Sequence, residues 1–358
     1  MLKSSHRLAV LLHEGITGVQ GKTGLTLLRY SQAQVVCAID RSVAGQSLVE
    51  LTGIDRDVPI VDSIESALNY QPDVLAIGIA PSGGIVPDSW MAELQSAVAA
   101  GLSIVNGLHT PLANHPQLVN LLKPGQWIWD VRQEPQGLKI GTGAAKSLPC
   151  KRVLMVGTDM AIGKMSAALE LQRTCERRGI KSKFIATGQA GMMISGEGVA
   201  LDAVRVDYAA GAIEQAVLLH GNDYELLLVE GQGSLLHPGS TATLPLIRGS
   251  QPTHLILLHK IGQETIRNCP DVKIPPLAEV VRLYETLASC AGAFGTVKVV
   301  AIALNGGTLS DDVVQAEIDR VTAATGLPCT DAVRFGADVL LDAIFNSQGS
   351  SPGHENVF

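Results

Sequence analysis

The stretch from Lys151 to Ser166, KRVLMVGTDMAIGKMS, holds residues whose types and spacing suit phosphate chemistry. An apolar run, Val153-Leu-Met-Val156, reads as a buried parallel strand. Gly157, five further residues, Gly163 and Lys164 follow, and then a helical pattern. Strand, glycine-bounded loop, lysine and helix is the layout of a phosphate-binding loop. Gly157, Thr158 and Gly163 let backbone N–H groups crowd round an anion. The helix N-terminus adds its positive end, and Lys164 supplies a point charge. The spacing is one residue longer than the commonest form, and Met165 rather than Ser or Thr follows the lysine. Ser166 brings a hydroxyl one position late, about 100° further round the helix. Whether a metal is used stays open at this point. A magnesium ion would draw on Asp159, inside the loop, and on Glu230.

Other polar residues gather where predicted strands end. LLLVEGQGSLLHP, starting at Leu226, is an apolar strand that delivers Glu230 at its carboxyl end, with glycines directly after it. Glu230 suits a general base or metal partner, and Ser234 and His237 add polar groups, His237 as a second candidate base. Asp159 could instead orient a substrate amine. Ala186-Thr-Gly-Gln-Ala-Gly-Met-Met193 is a second glycine-rich turn, expected to bring Gln189 into the same crevice. Asn305-Gly-Gly closes another strand, and Asp331 and Arg334 follow Gly326-Leu-Pro. These suit contacts to a nucleotide base or a carboxylate, Arg334 by a bidentate fork.

The first half carries its own glycine series, Gly15, Gly18 and Gly21, followed by Lys22. Asp40 ends the next strand, where an acid takes a ribose hydroxyl in dinucleotide folds. An NAD reading is therefore open. However, none of the five tyrosines is followed four residues later by lysine, so the usual short-chain dehydrogenase base is missing. Lys22 is a candidate anion ligand, because a lysine at a helix N-terminus is otherwise unfavourable. Pro81-Ser-Gly-Gly84 and Asn106-Gly-Leu-His109 also follow strands, and His109 suits an acid/base or substrate contact.

The elements that must hold these residues are alternating strands and helices, which predicts α/β architecture with mainly parallel sheets. Predicted strands are Arg7–His13, Val35–Asp40, Val74–Ile79 and Ser103–Val105, then Val153 onward, Lys183–Thr187, Glu225–Glu230, His254–His259 and Lys298–Leu304. A helix over Lys164–Arg178 ends with Arg177, Arg178 and Gly179, a well-formed stop. Residues 123–150 are rich in Gly and Pro. The expected organisation is a Rossmann-like domain over 1–125, a junction over 126–150, a P-loop domain over 151–345 and a mobile tail over 346–358. The chain has 358 residues, 46% apolar and 17% charged, which suits two well-packed domains. A net charge of −7 without a basic block argues against nucleic acid. No apolar run reaches the ~18 residues of a membrane span, and the start lacks a signal-peptide layout. Six scattered cysteines form no Cys-x-x-Cys pair and read as small core residues. The expected location is the cytoplasm, with a homo-oligomer compatible with this reading.

These segments resemble a known family. GTDMAIGKMSAALEL, FIATGQAGMMISGEGVALDAV, LLLVEGQGSLLHP and GLPCTDAVRFGA are similar to the C-terminal P-loop half of the domain-of-unknown-function 1611 family. KTGLTLLRYS, VLAIGIAPSGG and GLHTPLANHP are similar to its Rossmann-like N-terminal half. The resemblance covers nearly the whole chain. Gly157-Thr-Asp and Val229-Glu-Gly also resemble dethiobiotin synthetase, which carries threonine after the lysine. Some members of the 1611 family are linked to N-acetylation of D-glutamate, beside a partner racemase. The resemblance thus implies an acetyl-CoA-dependent transferase acting on a small acidic substrate. ATP with Mg2+, in a ligase or kinase, is the alternative, and a nucleotide sensor or NAD-binding protein is the third.

Overall fold

The computed structural model describes residues 2–347 except 19, 80, 82, 83 and 290–294. The expected tail beyond Ser347 lies outside the described residues, whereas Asn346 closes the helix Asp338–Asn346. The chain forms two units, 1–134 with 188–203, and 135–187 with 204–358.

The first unit carries a six-stranded parallel sheet. Its strands are β1 (Arg7–Leu11), β2 (Gln34–Ile39), β3 (Ile60–Val61), β4 (Val74–Ile77), β5 (Ser103–Asn106) and β6 (Ile128–Asp130), in the order β3-β2-β1-β4-β5-β6. Ala9, Leu11, Leu75, Ile77 and Ile104 pack with Trp90, Leu94 and Val98 in its core. β6 lies inside the stretch expected to be a junction, so the first unit extends past 125 to Glu134. Three residues, Ile-Trp-Asp, are too short to show a strand period.

The second unit holds β7 (Lys151–Gly157), β8 (Ser182–Ile185), β9 (Leu226–Val229), β10 (His254–Lys260), β13 (Lys298–Asn305) and β14 (Cys329–Thr330). Their order is β14-β13-β10-β7-β9-β8, with every pairing parallel. A separate hairpin pairs β11 (Thr265–Ile266) with β12 (Cys269–Lys273). β7, β9 and β10 are buried almost throughout, as continuous Val/Leu/Ile runs require when both sheet faces are covered. The strand order reverses between β7 and β10, and ligands of open α/β sheets bind outside the carboxyl ends at such a reversal. Gly157 is paired with Leu258 there, so the glycine loop and the His259-Lys260 end of β10 emerge side by side.

After Thr187 the chain leaves the second unit and returns to it at Val204. The intervening helix Gln189–Ser195 belongs to the first unit. Among the described residues no helix is long and apolar enough to cross a membrane. Cys37, Cys150, Cys175 and Cys329 are buried free thiols, as small core residues, and Cys269 is half-buried. Cys290 lies outside the described residues.

Candidate functional site

The loop after β7 is built by local sequence. Gly163 has φ +105°, a conformation that favours glycine, and it lets the helix Lys164–Arg177 start directly behind the loop. That helix ends before Gly179, at φ +68°, where the stop was expected. Lys164 is buried, and its Nζ donates to Asp159 O at 2.7 Å across the loop. Met165 and Ser166 occupy the next two positions of the helix, both half-buried.

Distant residues fix the loop. Thr158 is fully buried, and its Oγ1 lies 3.0 Å from His259 Nδ1 at the end of β10. Burial lowers the His259 pKa; Glu317 acts against this and Arg320 with it. Ser234 Oγ donates to Thr158 O at 3.0 Å. Tyr284, on the helix Leu277–Ala288, donates from its hydroxyl to Gly157 O at 2.7 Å and accepts from Leu235 N at 3.2 Å. Burial raises the Tyr284 pKa, so the phenol stays protonated as the donor this bond needs.

Asp159 is wholly buried, and both its oxygens accept hydrogen bonds. Oδ1 accepts from Met160 N at 2.6 Å, and Oδ2 accepts from Arg267 N at 2.6 Å and from Gln263 Nε2. The residue considered for metal or amine binding is therefore a buckle joining the glycine loop to the β11–β12 hairpin. Among the described residues no group of three or more His, Cys, Asp or Glu could hold a metal.

Glu230 directly follows β9, is 4% exposed, and accepts from Thr187 N at 2.9 Å through Oε2. Gly231, next to it, lies on Lys164. A Cβ there would fall 2.8 Å from Lys164 Cδ and 1.6 Å from Met155 O, so only glycine fits. Glu230 and Lys164 thus share the carboxyl-end crevice. His237 is half-buried in the turn that follows, its Nδ1 accepting from Gly239 N at 3.0 Å. Asn305 ends β13 and donates from Nδ2 to Ile162 O at 3.0 Å, which ties it to the glycine loop. Arg334 pairs with Asp311 and donates to Gly307 O at 3.0 Å. Asp331 accepts from Gly306 N at 2.8 Å and from Arg334 N. Asn305, Asp331 and Arg334 therefore brace one turn beside the loop.

In the first unit, Asp40 is fully buried and accepts from Glu14 N, Ile16 N, Ser42 N and Ser42 Oγ. Burial opposes its ionisation, but these donors outweigh it and hold the carboxyl below the ordinary range. The acid expected to meet a ribose instead closes the glycine turn. Lys22 opens the helix Lys22–Tyr30 and is exposed. His109 and Gln189 come together here, around Gly107. Arg132 donates to Gly107 O at 2.7 Å, lies 3.1 Å from His109 Nε2 and pairs with Asp202. A Cβ on Gly107 would fall 3.3 Å from Gln189 Cγ. Gln189 therefore belongs to the first unit, because the chain crosses over after Thr187. Ser82 and Gly83 of the Pro81–Gly84 turn lie outside the described residues.

Sequence reasoning passed over His259, Gln263, Arg267, Arg132 and Tyr284. His259 and Lys260 carried a usable signal, as polar residues ending an apolar strand. Tyr284 carried none, since it falls on the apolar stripe of its helix with Val280 and Ala288.

Comparison with known proteins accords with this architecture. Residues 139–341 match the family described as a domain of unknown function (DUF1611_C) P-loop domain. Residues 41–134 match its counterpart, a DUF1611_N Rossmann-like domain. A protein of Tritonibacter scottomollicae named D-glutamate N-acetyltransferase is 36% identical over 299 residues, covering 83% of this chain and 88% of that protein. One of a Pseudoalteromonas species, with the same name, is 32% identical over 281 residues, covering 78% and 83%. The crystal structure of a DUF1611 family protein from Anabaena variabilis is 64% identical and superposes with a TM-score of 0.92, covering 95% and 99% of the two chains. The chain belongs to the DUF1611 family, with its Rossmann-like N-terminal and P-loop C-terminal domains.

Proposed function

We propose that this chain is an N-acyltransferase that moves acetyl from acetyl-CoA to the amino group of an acidic amino acid such as D-glutamate. The observation that carries this reading is the pair of relatives named D-glutamate N-acetyltransferase, which match over 83% and 78% of the chain. The loop supports it too. Met165 stands where a magnesium-binding hydroxyl usually sits, and both Asp159 oxygens are taken by loop and hairpin donors. A coenzyme A diphosphate needs no such metal. Lys164 and the N–H groups of the helix start suit that diphosphate. Acetyl-CoA supplies an activated thioester. Glu230 is the base that takes the amine proton as the nitrogen–carbon bond forms; the carbon–sulfur bond of the thioester then breaks and coenzyme A leaves as its thiol, and His237 is the alternative base. Backbone N–H groups hold the oxyanion.

Calorimetric titration of the wild type and Lys164→Ala with acetyl-CoA, ATP–Mg2+ and NAD tests this. The wild type should bind acetyl-CoA and acetylate D-glutamate. Lys164→Ala should bind it about 10- to 100-fold more weakly, from loss of a charged hydrogen-bond donor. Binding of ATP–Mg2+ alone, lost in Lys164→Ala, would replace acyl transfer with a ligase or kinase. Tight NAD binding that survives Lys164→Ala would move the main site to the first unit.

A further inference from the structure

A cavity of about 770 Å3 opens beside the glycine loop, at the β7/β10 reversal. Met160, Ala161 and Ile162 of the loop form one wall. The end of β10 and the β11–β12 hairpin form the other, with Lys260 and Arg267. The lining holds these two cations and no carboxylate, in a chain whose net charge is −7. Both side chains are exposed, and among the described residues neither makes an ion pair or side-chain hydrogen bond. Two like charges beside a loop that already carries Lys164 repel one another, and an anion between them removes the repulsion.

The backbone fixes these cations relative to the loop. Lys260 pairs in register with Asn305, which is bonded to Ile162 O of the loop. Arg267 donates its main-chain N–H to buried Asp159, inside the loop. Asn268, at φ +62°, turns the hairpin directly after it. Ile261 and Pro270 add an apolar lining suited to a flat base.

We propose that Lys260 and Arg267 form a second anion subsite that takes the 3′-phosphate of a 3′-phosphorylated adenine nucleotide, while the glycine loop takes its 5′-diphosphate. The proposal rests on the acetyl-CoA reading and sharpens it. ATP carries one contiguous phosphate chain. Coenzyme A carries a diphosphate and a separate ribose monophosphate, which matches two separate cationic sites on one cavity.

The test compares coenzyme A with 3′-dephospho-coenzyme A by calorimetry. The proteins are the full-length wild type, the Lys260→Ala/Arg267→Ala double variant, and Lys273→Ala as a control for general charge. The wild type should prefer coenzyme A by about 10- to 100-fold, as expected for a phosphate held by charged donors. The double variant should bind both forms alike, near the wild-type affinity for the dephospho form, with an unchanged melting temperature. Lys273→Ala should keep the wild-type ratio. Equal binding of both forms by the wild type would overturn the subsite and leave acyl transfer standing. A preference that persists in the double variant would do the same. Binding of neither form would overturn both readings.

Discussion

Replacing Asp159 by asparagine should loosen the hairpin from the glycine loop. The carboxylate meets only donors: Met160 N–H on Oδ1, and Arg267 N–H and the Gln263 amide on Oδ2. An asparagine offers one acceptor and one donor group, so one side of the buckle must face donor to donor. Gln263 can turn its amide and present oxygen, giving up its bond to Thr265 O at 3.0 Å. The Arg267 N–H has no such freedom. Hydrogen bonds to charged groups are worth roughly 1.5–3 kcal/mol, and a buried donor left unmade costs about 1–3 kcal/mol. Opening the hairpin should therefore become about 2–4 kcal/mol easier. That corresponds to roughly 30- to 1,000-fold faster amide exchange at Arg267 and its neighbours, if exchange follows local opening. Hydrogen–deuterium exchange on peptides spanning Thr265–Lys273 reads this directly, with the core strand β7 as the internal reference. Unchanged exchange over the hairpin would refute the reasoning, since the buckle would then carry no free energy.

Two further outcomes follow from the same geometry. Glu230→Gln should keep coenzyme binding but reduce turnover by ~10²–10⁴, the usual weight of a general base, and unchanged turnover would remove Glu230 from the mechanism. His254, at the start of β10, is 2% exposed, and among the described residues its Nε2 has no hydrogen-bond partner. Burial, then Lys151 and Arg152, push its pKa down from 6.5 to about 4. Because the folded value lies below the unfolded one, the unfolded chain takes up the proton first. Stability is intact above about pH 6.5 and falls as pH drops towards 4, by roughly 2 kcal/mol at pH 5. His259, also lowered by burial, acts in the same direction. Urea denaturation at pH 7.5 and pH 5 should show a loss that shrinks by about that amount in His254→Leu; an equal loss in both proteins would exclude His254 as its source.

How much was legible depends on the range of the interaction. The β7 strand, Gly157, Gly163, Lys164 and the helix stop at Gly179 lie within about thirty residues, and each follows from local backbone preference and apolar patterning. The three shortest strands of the two six-stranded sheets, β3, β6 and β14, were invisible because two or three residues cannot display a period. Asp40 shows a different limit. An acid about 20 residues after a glycine turn has the same spacing whether it meets a ribose or the turn itself, and only its four donors distinguish the two.

The sequence by itself thus determined the two α/β halves, the phosphate loop and its missing magnesium hydroxyl. Tertiary structure decided what surrounds that loop. Asp159 meets Gln263 and Arg267 across 104 and 108 residues, and Gly157 meets Tyr284 across 127. It also decided that Gln189 lies in the first unit, because the chain leaves the second sheet after Thr187. Local preference acts over a few residues along the chain. Buried polar groups instead take whichever partners the sheet order brings near, and that order is set by packing the whole core.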